Sequence, residues 1–205
     1  MQTICNRSPA FASSSSRTGW RAYVPGSTLT QEGGRAILCG IFSITNPRLV
    51  EATVNSAPLV LALLDEAYGK KTWHGPNLKQ SIKGVSAKQA AWRPGPGRHN
   101  IWEVSLHAAY WKYAVRRRIE GGKRGSFALK GSNFFARPEK GKWNEKAWGA
   151  DKNLLNREHQ SLRRAVAKVL RSPRGAKLLR QLYGIAFHDV YHAGQIRLLR
   201  RLMER

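Results

Sequence analysis

Two histidines four residues apart, His188 and His192, are the residues whose types and spacing most directly suggest chemistry. On a helix that spacing projects both imidazoles from one face, one turn apart, within reach of a single metal ion. Asp189 falls beside them on that face, and a further polar group in an otherwise apolar stripe favours a site over plain packing. A third histidine, His107, sits in a separate amphipathic segment that also directs it inward, with Glu103 one turn before it. Three neutral imidazoles that leave a coordination position to water or substrate are the donor set of catalytic rather than structural metal sites. Glu103 is a candidate base, or a partner that orients a ligand imidazole through its second nitrogen, and Asp189 invites the same two roles. The competing reading of each is structural: histidines hydrogen-bonded inside a core, and carboxylates paired with Lys or Arg or placed to suit a helix dipole.

The elements that must hold these residues are helical. From Leu178 to Met203 the apolar positions Leu178, Leu182, Ile185, Ile196, Leu199 and Met203 alternate spacings of three and four. They draw one buried stripe along a helix of about seven turns. Gly194 interrupts that helix with low propensity where no turn is wanted, which suggests close approach of another helix or a ligand. Residues 99–119 form the next strong helix, bringing Asn100, Val104, Tyr110, Trp111 and Ala114 to the side of His107. Asn46-Pro47 reads as a helix start; Pro58 then kinks or splits that segment, leaving a second piece from about Leu59 to Tyr68. Short helices over 76–82 and 86–91, separated by Gly84, fit the capping signals. Residues 121–150 are Gly-rich, basic and aromatic without sustained period, the pattern of a lid, a binding loop or a disordered segment. Asp151 is expected to cap a helix running to about Leu170, with Leu155, Leu162, Val166 and Val169 inward, before Ser172-Pro173 ends it. No period-2 alternation is long enough for a sheet. The expectation is an all-α fold of four main helices, with the long loop between the second and the third. His99 is expected at an exposed helix start and His159 on a helix surface. His74 is a candidate for the pocket border, and Tyr110, Trp111, Trp143 and Trp148 for its walls.

Composition bounds the rest. At 205 residues one domain is expected. The 36 Lys and Arg against 12 Asp and Glu give a net charge of +24 and a pI near 11.1. Such a field attracts polyanions, and weak, sequence-independent nucleic-acid binding is expected from it, carried by basic-aromatic stretches such as 112–146. Residues 1–46 stand apart as a disordered or non-native extension: the first 31 hold no acid and a run of four serines, as transit peptides do. The globular part is then 47–205. No run of 18 apolar residues exists, so no membrane span is expected. Cys5 and Cys39 are not in metal-ligand spacing, and a reducing, cytoplasmic setting fits them better than a disulfide framework. Neither a Walker phosphate loop nor a G-x-S-x-G elbow is present.

Three phrases carry a resemblance: WHGPNL at 73–78, HNIWEVSLHAAYWKY at 99–113, and FHDVYHAGQIRLLRRL at 187–202. Together they resemble the DinB-like (DinB/YfiT) superfamily of metal-binding four-helix bundles, over roughly residues 47–204. The last phrase, H-x3-H followed by A-G-Q, is the most specific. The resemblance implies a bundle with up-down-down-up helices and a divalent metal ion, zinc, nickel or similar, on His107, His188 and His192. It also implies kinship with a group that includes thiol-dependent S-transferases and isomerases. The expected function is a metal-dependent transferase or hydrolase acting on a small molecule, with a low-molecular-weight thiol as candidate cosubstrate. A non-catalytic metal bundle and a basic nucleic-acid-binding protein are the alternatives, and a homodimer is admitted as the assembly.

Overall fold

A computed structural model describes residues 56–138 and 144–204. Six helices run through them: α1 (Ser56–Tyr68), α2 (Leu78–Ile82), α3 (Ala87–Ala91), α4 (Ile101–Glu120), α5 (Glu145–Val169) and α6 (Pro173–Met203). No strand occurs among the described residues. The fold is an all-α bundle whose four long helices are α1, α4, α5 and α6, with the long loop between the second and third of them, and none is long and apolar enough to cross a membrane.

Local chemistry sets most of the boundaries. Asn77 and Ser86 each close a capping box with a glutamine three residues on, which starts two helices too short to persist without tertiary support. Asn100 caps α4 by accepting from the Glu103 amide, and Gly121, in the left-handed region at φ 74°, ends it. Pro58 lies in the first described turn of α1. The helix start read at Asn46-Pro47 and the wall residue Trp143 lie outside the described residues.

Two boundaries differ from the sequence expectation. Helix α5 begins at Glu145, capped by Asn144, not at Asp151. Asp151 instead lies inside the helix, where its carboxylate accepts from Trp102 Nε1 (2.7 Å) and Arg137 Nε (3.0 Å). An acid in an N-cap pattern was here a tertiary hydrogen-bond acceptor. Helix α6 begins five residues before Leu178, because Ser172-Pro173 supplies a start. Gly175, in its first turn, permits the tight α5–α6 corner: a Cβ there would stand 2.7 Å from the Val169 carbonyl oxygen. Gly194 behaves otherwise, since a Cβ on it would meet nothing within 4 Å. The close approach expected at Gly194 does not occur among the described residues.

The apolar residues form two clusters stacked along the bundle. One joins α2, α3 and the first part of α4 to the start of α5 and the end of α6, around Trp102, Leu106, Trp148 and Ile196. The other joins α1 to the end of α4, the end of α5 and the start of α6, around Leu64, Val166 and Leu182. A buried polar layer separates them. Lys112 of α4 and Asp189 of α6 form an ion pair with both side chains fully buried. Lys112 Nζ also lies 5.0 Å from the centre of the Tyr68 ring, which stacks on His159 at 3.8 Å. His159 is therefore a core residue, not the surface one its position suggested; burial pushes its pKa down to about 3. An ion pair in such a place is paid for in desolvation, so it adds little net stability over apolar residues of similar volume.

Candidate metal centre

Helices α4 and α6 bring the three predicted histidines together at the edge of this polar layer. Their candidate ligand nitrogens all lie within 4.8 Å of one another. His188 Nε2 stands 3.1 Å from His107 Nε2 and 3.1 Å from His192 Nε2. In a tetrahedral site with metal–nitrogen bonds of about 2.0–2.1 Å, neighbouring ligand nitrogens stand about 3.3 Å apart.

The protons decide how these contacts are to be understood. His107 Nδ1 donates to the Asn133 carbonyl oxygen at 3.1 Å, and His192 Nδ1 donates to Gln195 Oε1 at 2.7 Å. A neutral imidazole has one N–H, so His107 and His192 both present an Nε2 lone pair toward His188. A proton on His188 Nε2 can be directed at only one of them. Placed on Nδ1, it sits on a buried nitrogen without a hydrogen-bond partner among the described residues and leaves three lone pairs converging. Hydrogen bonding alone satisfies neither arrangement, whereas a cation satisfies all three nitrogens. The donor set fits a divalent metal ion.

The electrostatics agree. Burial, and then the neighbouring imidazole of His192, hold His107 down at about 4; burial and both neighbouring histidines hold His188 at about 3. Burial lowers His192 as well. All three are neutral near pH 7, the form that ligates.

The surroundings keep two of the rings in place. Asn133 is the only non-glycine described residue with positive φ, at 65°, a conformation asparagine tolerates. Its carbonyl holds His107 while its side-chain oxygen accepts from Trp111 Nε1 at 3.0 Å. Phe134 stacks between His107 (4.1 Å) and His99 (3.7 Å). The loop after α4 thus closes over the site. Beside the histidines lies a pocket of about 700 Å³, walled by Val104, Trp111, Phe134, Leu198 and Leu199, with Arg98 among its lining residues.

Glu103 and Asp189 do not line this pocket. The Glu103 carboxylate is gripped by Arg93 at 2.5 and 2.8 Å, by His99 Nδ1 at 2.9 Å and by the Arg137 amide at 3.2 Å. Burial would raise its pKa, but these donors outweigh it and hold it at about 2. Asp189 pairs with Lys112, and its second oxygen has no partner among the described residues. Of the expected wall residues Trp111 lines the pocket, while Trp148 is fully buried and donates to the Val85 carbonyl (2.8 Å). Tyr110 lines a different cavity, and His74 is exposed and outside the pocket wall. Sequence reasoning missed Asn133, Phe134 and Lys112. The signal for Lys112 was its place on the buried stripe between Ala108 and Val115; nothing in a loop without period marked Asn133.

The sequence model of the DinB superfamily matches residues 72–196, more than half of the chain and a span that contains all three histidines. No curated protein and no solved structure matches the chain. An all-α bundle, a convergent three-histidine cluster on its second and last long helices, and this match lead to one conclusion: the chain belongs to the DinB superfamily.

Proposed function

We propose that the protein is a divalent-metal-dependent enzyme acting on a small organic substrate, with His107, His188 and His192 as the metal ligands. One observation carries the reading: two Nε2···Nε2 contacts of 3.1 Å meet at His188, a pattern that protons leave unsatisfied and a cation completes. Asn133 and Gln195 support it by fixing the tautomers of His107 and His192, as outer partners of ligand histidines do. When bound, a divalent ion supplies Lewis acidity, which makes a neighbouring water or thiol more acidic.

The chain's own contribution is positional. Trp111, Phe134 and Leu199 offer an apolar wall for a substrate body and restrict water at the histidines. Glu103 anchors the entry to α4 through Arg93 and Arg137, and Asp189 sets the height of α6 against α4 through Lys112. In this reading both carboxylates act as positioning groups. Among the described residues the pocket wall holds no cysteine, and the thiol branch of this reading uses a low-molecular-weight cosubstrate. A cytoplasmic setting, where such thiols stay reduced, suits that branch. The reaction class is S-transfer from a small thiol or hydrolysis. A metal bundle without turnover is the second reading, favoured by the lack of any carboxylate in the pocket wall.

A screen separates the two. Metal-loaded protein is assayed with small thiols plus electrophilic acceptors and, separately, with ester and amide substrates. The enzyme reading expects turnover that disappears with chelator and returns with metal. Metal-replete protein inert across both panels would favour the non-catalytic bundle.

A further inference from the structure

A second cavity, of about 650 Å³, lies between α4 and the loop that follows it. Its α4 wall is Tyr110, Tyr113, Ala114, Arg117 and Arg118, residues at spacings that share one helical face. The loop side adds Arg124 and Lys130. Four cations thus converge on one concavity, and among the described residues no Asp or Glu lines it. The acid nearest in sequence, Glu120, pairs with Arg116, which does not line the cavity and also takes Glu158. Among the described residues no hydrogen bond or ion pair engages the side chains of Arg118, Arg124 or Lys130, and Arg117 makes only a long contact of 3.3 Å to the Gly122 carbonyl. Gathering unpaired like charges in a recess is unfavourable unless an anion answers them.

We infer that this cavity binds a phosphate chain, the di- or triphosphate group of a small ligand. A terminal phosphate carries roughly −1.5 to −2 near neutral pH and each bridging phosphate about −1 more, so a chain of two or three, at roughly −3 to −4, matches four cations where a single carboxylate does not. Arginine, three of the four, suits bidentate contact with phosphate oxygens. The half-buried Tyr110 and Trp111 rings at the rim give an attached organic body a surface to lie on. A recess of this size favours a nucleotide-sized ligand over an extended strand. The site is separate from the three histidines, though Trp111 lines both cavities.

The test is calorimetric titration of the full chain with ATP, inorganic tripolyphosphate, adenosine and a single-stranded oligonucleotide. ATP and tripolyphosphate should bind and compete with each other, while adenosine should not bind. Tripolyphosphate as tight as ATP makes inorganic polyphosphate the ligand, and tighter ATP makes it a nucleotide; either outcome supports the phosphate site. The double variant Arg124→Gln/Lys130→Gln, both residues exposed, should weaken binding by about tenfold per charge, the effect of losing one charge-assisted hydrogen bond. Arg157→Gln/Lys168→Gln removes the same charge from exposed positions of α5 outside the cavity and should change affinity by no more than about twofold. His188→Ala should bind ATP as the natural chain does. Four results would each overturn the inference: no phosphate probe binding, adenosine binding as well as ATP, equal losses in the two double variants, or an oligonucleotide binding more tightly than ATP.

Discussion

At the scale of single residues, metal binding depends on which nitrogen of each imidazole is free. Asn133 and Gln195 consume the Nδ1 protons of His107 and His192, so Nε2 is the free nitrogen of both. Gln195 is the more testable partner, since it contacts His192 through its side chain alone. Gln195→Ala should weaken metal binding by about 10- to 100-fold, the usual effect of losing an outer partner of a ligand histidine. Competition with a chromophoric chelator measures this, and an unchanged affinity would remove Gln195 from the account. Its role was partly legible, because it stands three residues after His192 in the A-G-Q phrase, on the same side of the helix. The histidines were legible for the same reason: helical period places i and i+4 together. Asn133 was not, since a backbone carbonyl carries no residue-type signal and its aim depends on a loop conformation. Glu103 shows the limit of type-based reasoning, because its partners Arg93 and Arg137 come from segments without periodicity.

At the scale of elements, the Lys112–Asp189 pair joins α4 to α6 across the middle of the bundle. Both side chains are fully buried, and the pair sits between two apolar clusters with no water-facing side. Lys112→Met leaves Asp189 uncompensated and should destabilise the fold by about 3–5 kcal/mol, whereas Lys112→Met/Asp189→Leu should recover most of that loss. Urea denaturation of the metal-free variants reads both; a double variant as unstable as the single one would show that the pair does more than satisfy itself. The four long helices could be read from their apolar stripes, and α2 and α3 from their capping residues. The start of α5 could not, since Asn144 and Asp151 are both good caps by type, and Trp102 and Arg137 decided between them. His159 was misplaced for a similar reason: its burial depends on Tyr68 arriving from α1, 91 positions earlier in the chain.

At the scale of the molecule, a charge of +24 makes stability sensitive to its few acids. Asp65 joins α1 to α5 through Arg163, whose guanidinium, with Lys70, holds the carboxyl pKa at about 2 against the opposing effect of burial. A folded-state pKa below the unfolded value adds stability that is complete above about pH 4 and is lost as pH falls through about 2. With Arg163 side chain 41% exposed, solvent screening limits the contribution to roughly 1 kcal/mol. Asp65→Asn should therefore flatten the fall in unfolding free energy between pH 4 and 2, and identical slopes in the two proteins would refute the assignment. The larger claim is that one ion ties α4 to α6. Elemental analysis of the purified full chain beside His107→Ala, His188→Ala and His192→Ala tests it most directly. Close to one divalent ion per chain is expected in the natural sequence, with most of it lost in every variant, each still helical by circular dichroism. Equal metal content in the natural chain and His192→Ala, or none in any of the four proteins after growth with zinc and nickel, would contradict it.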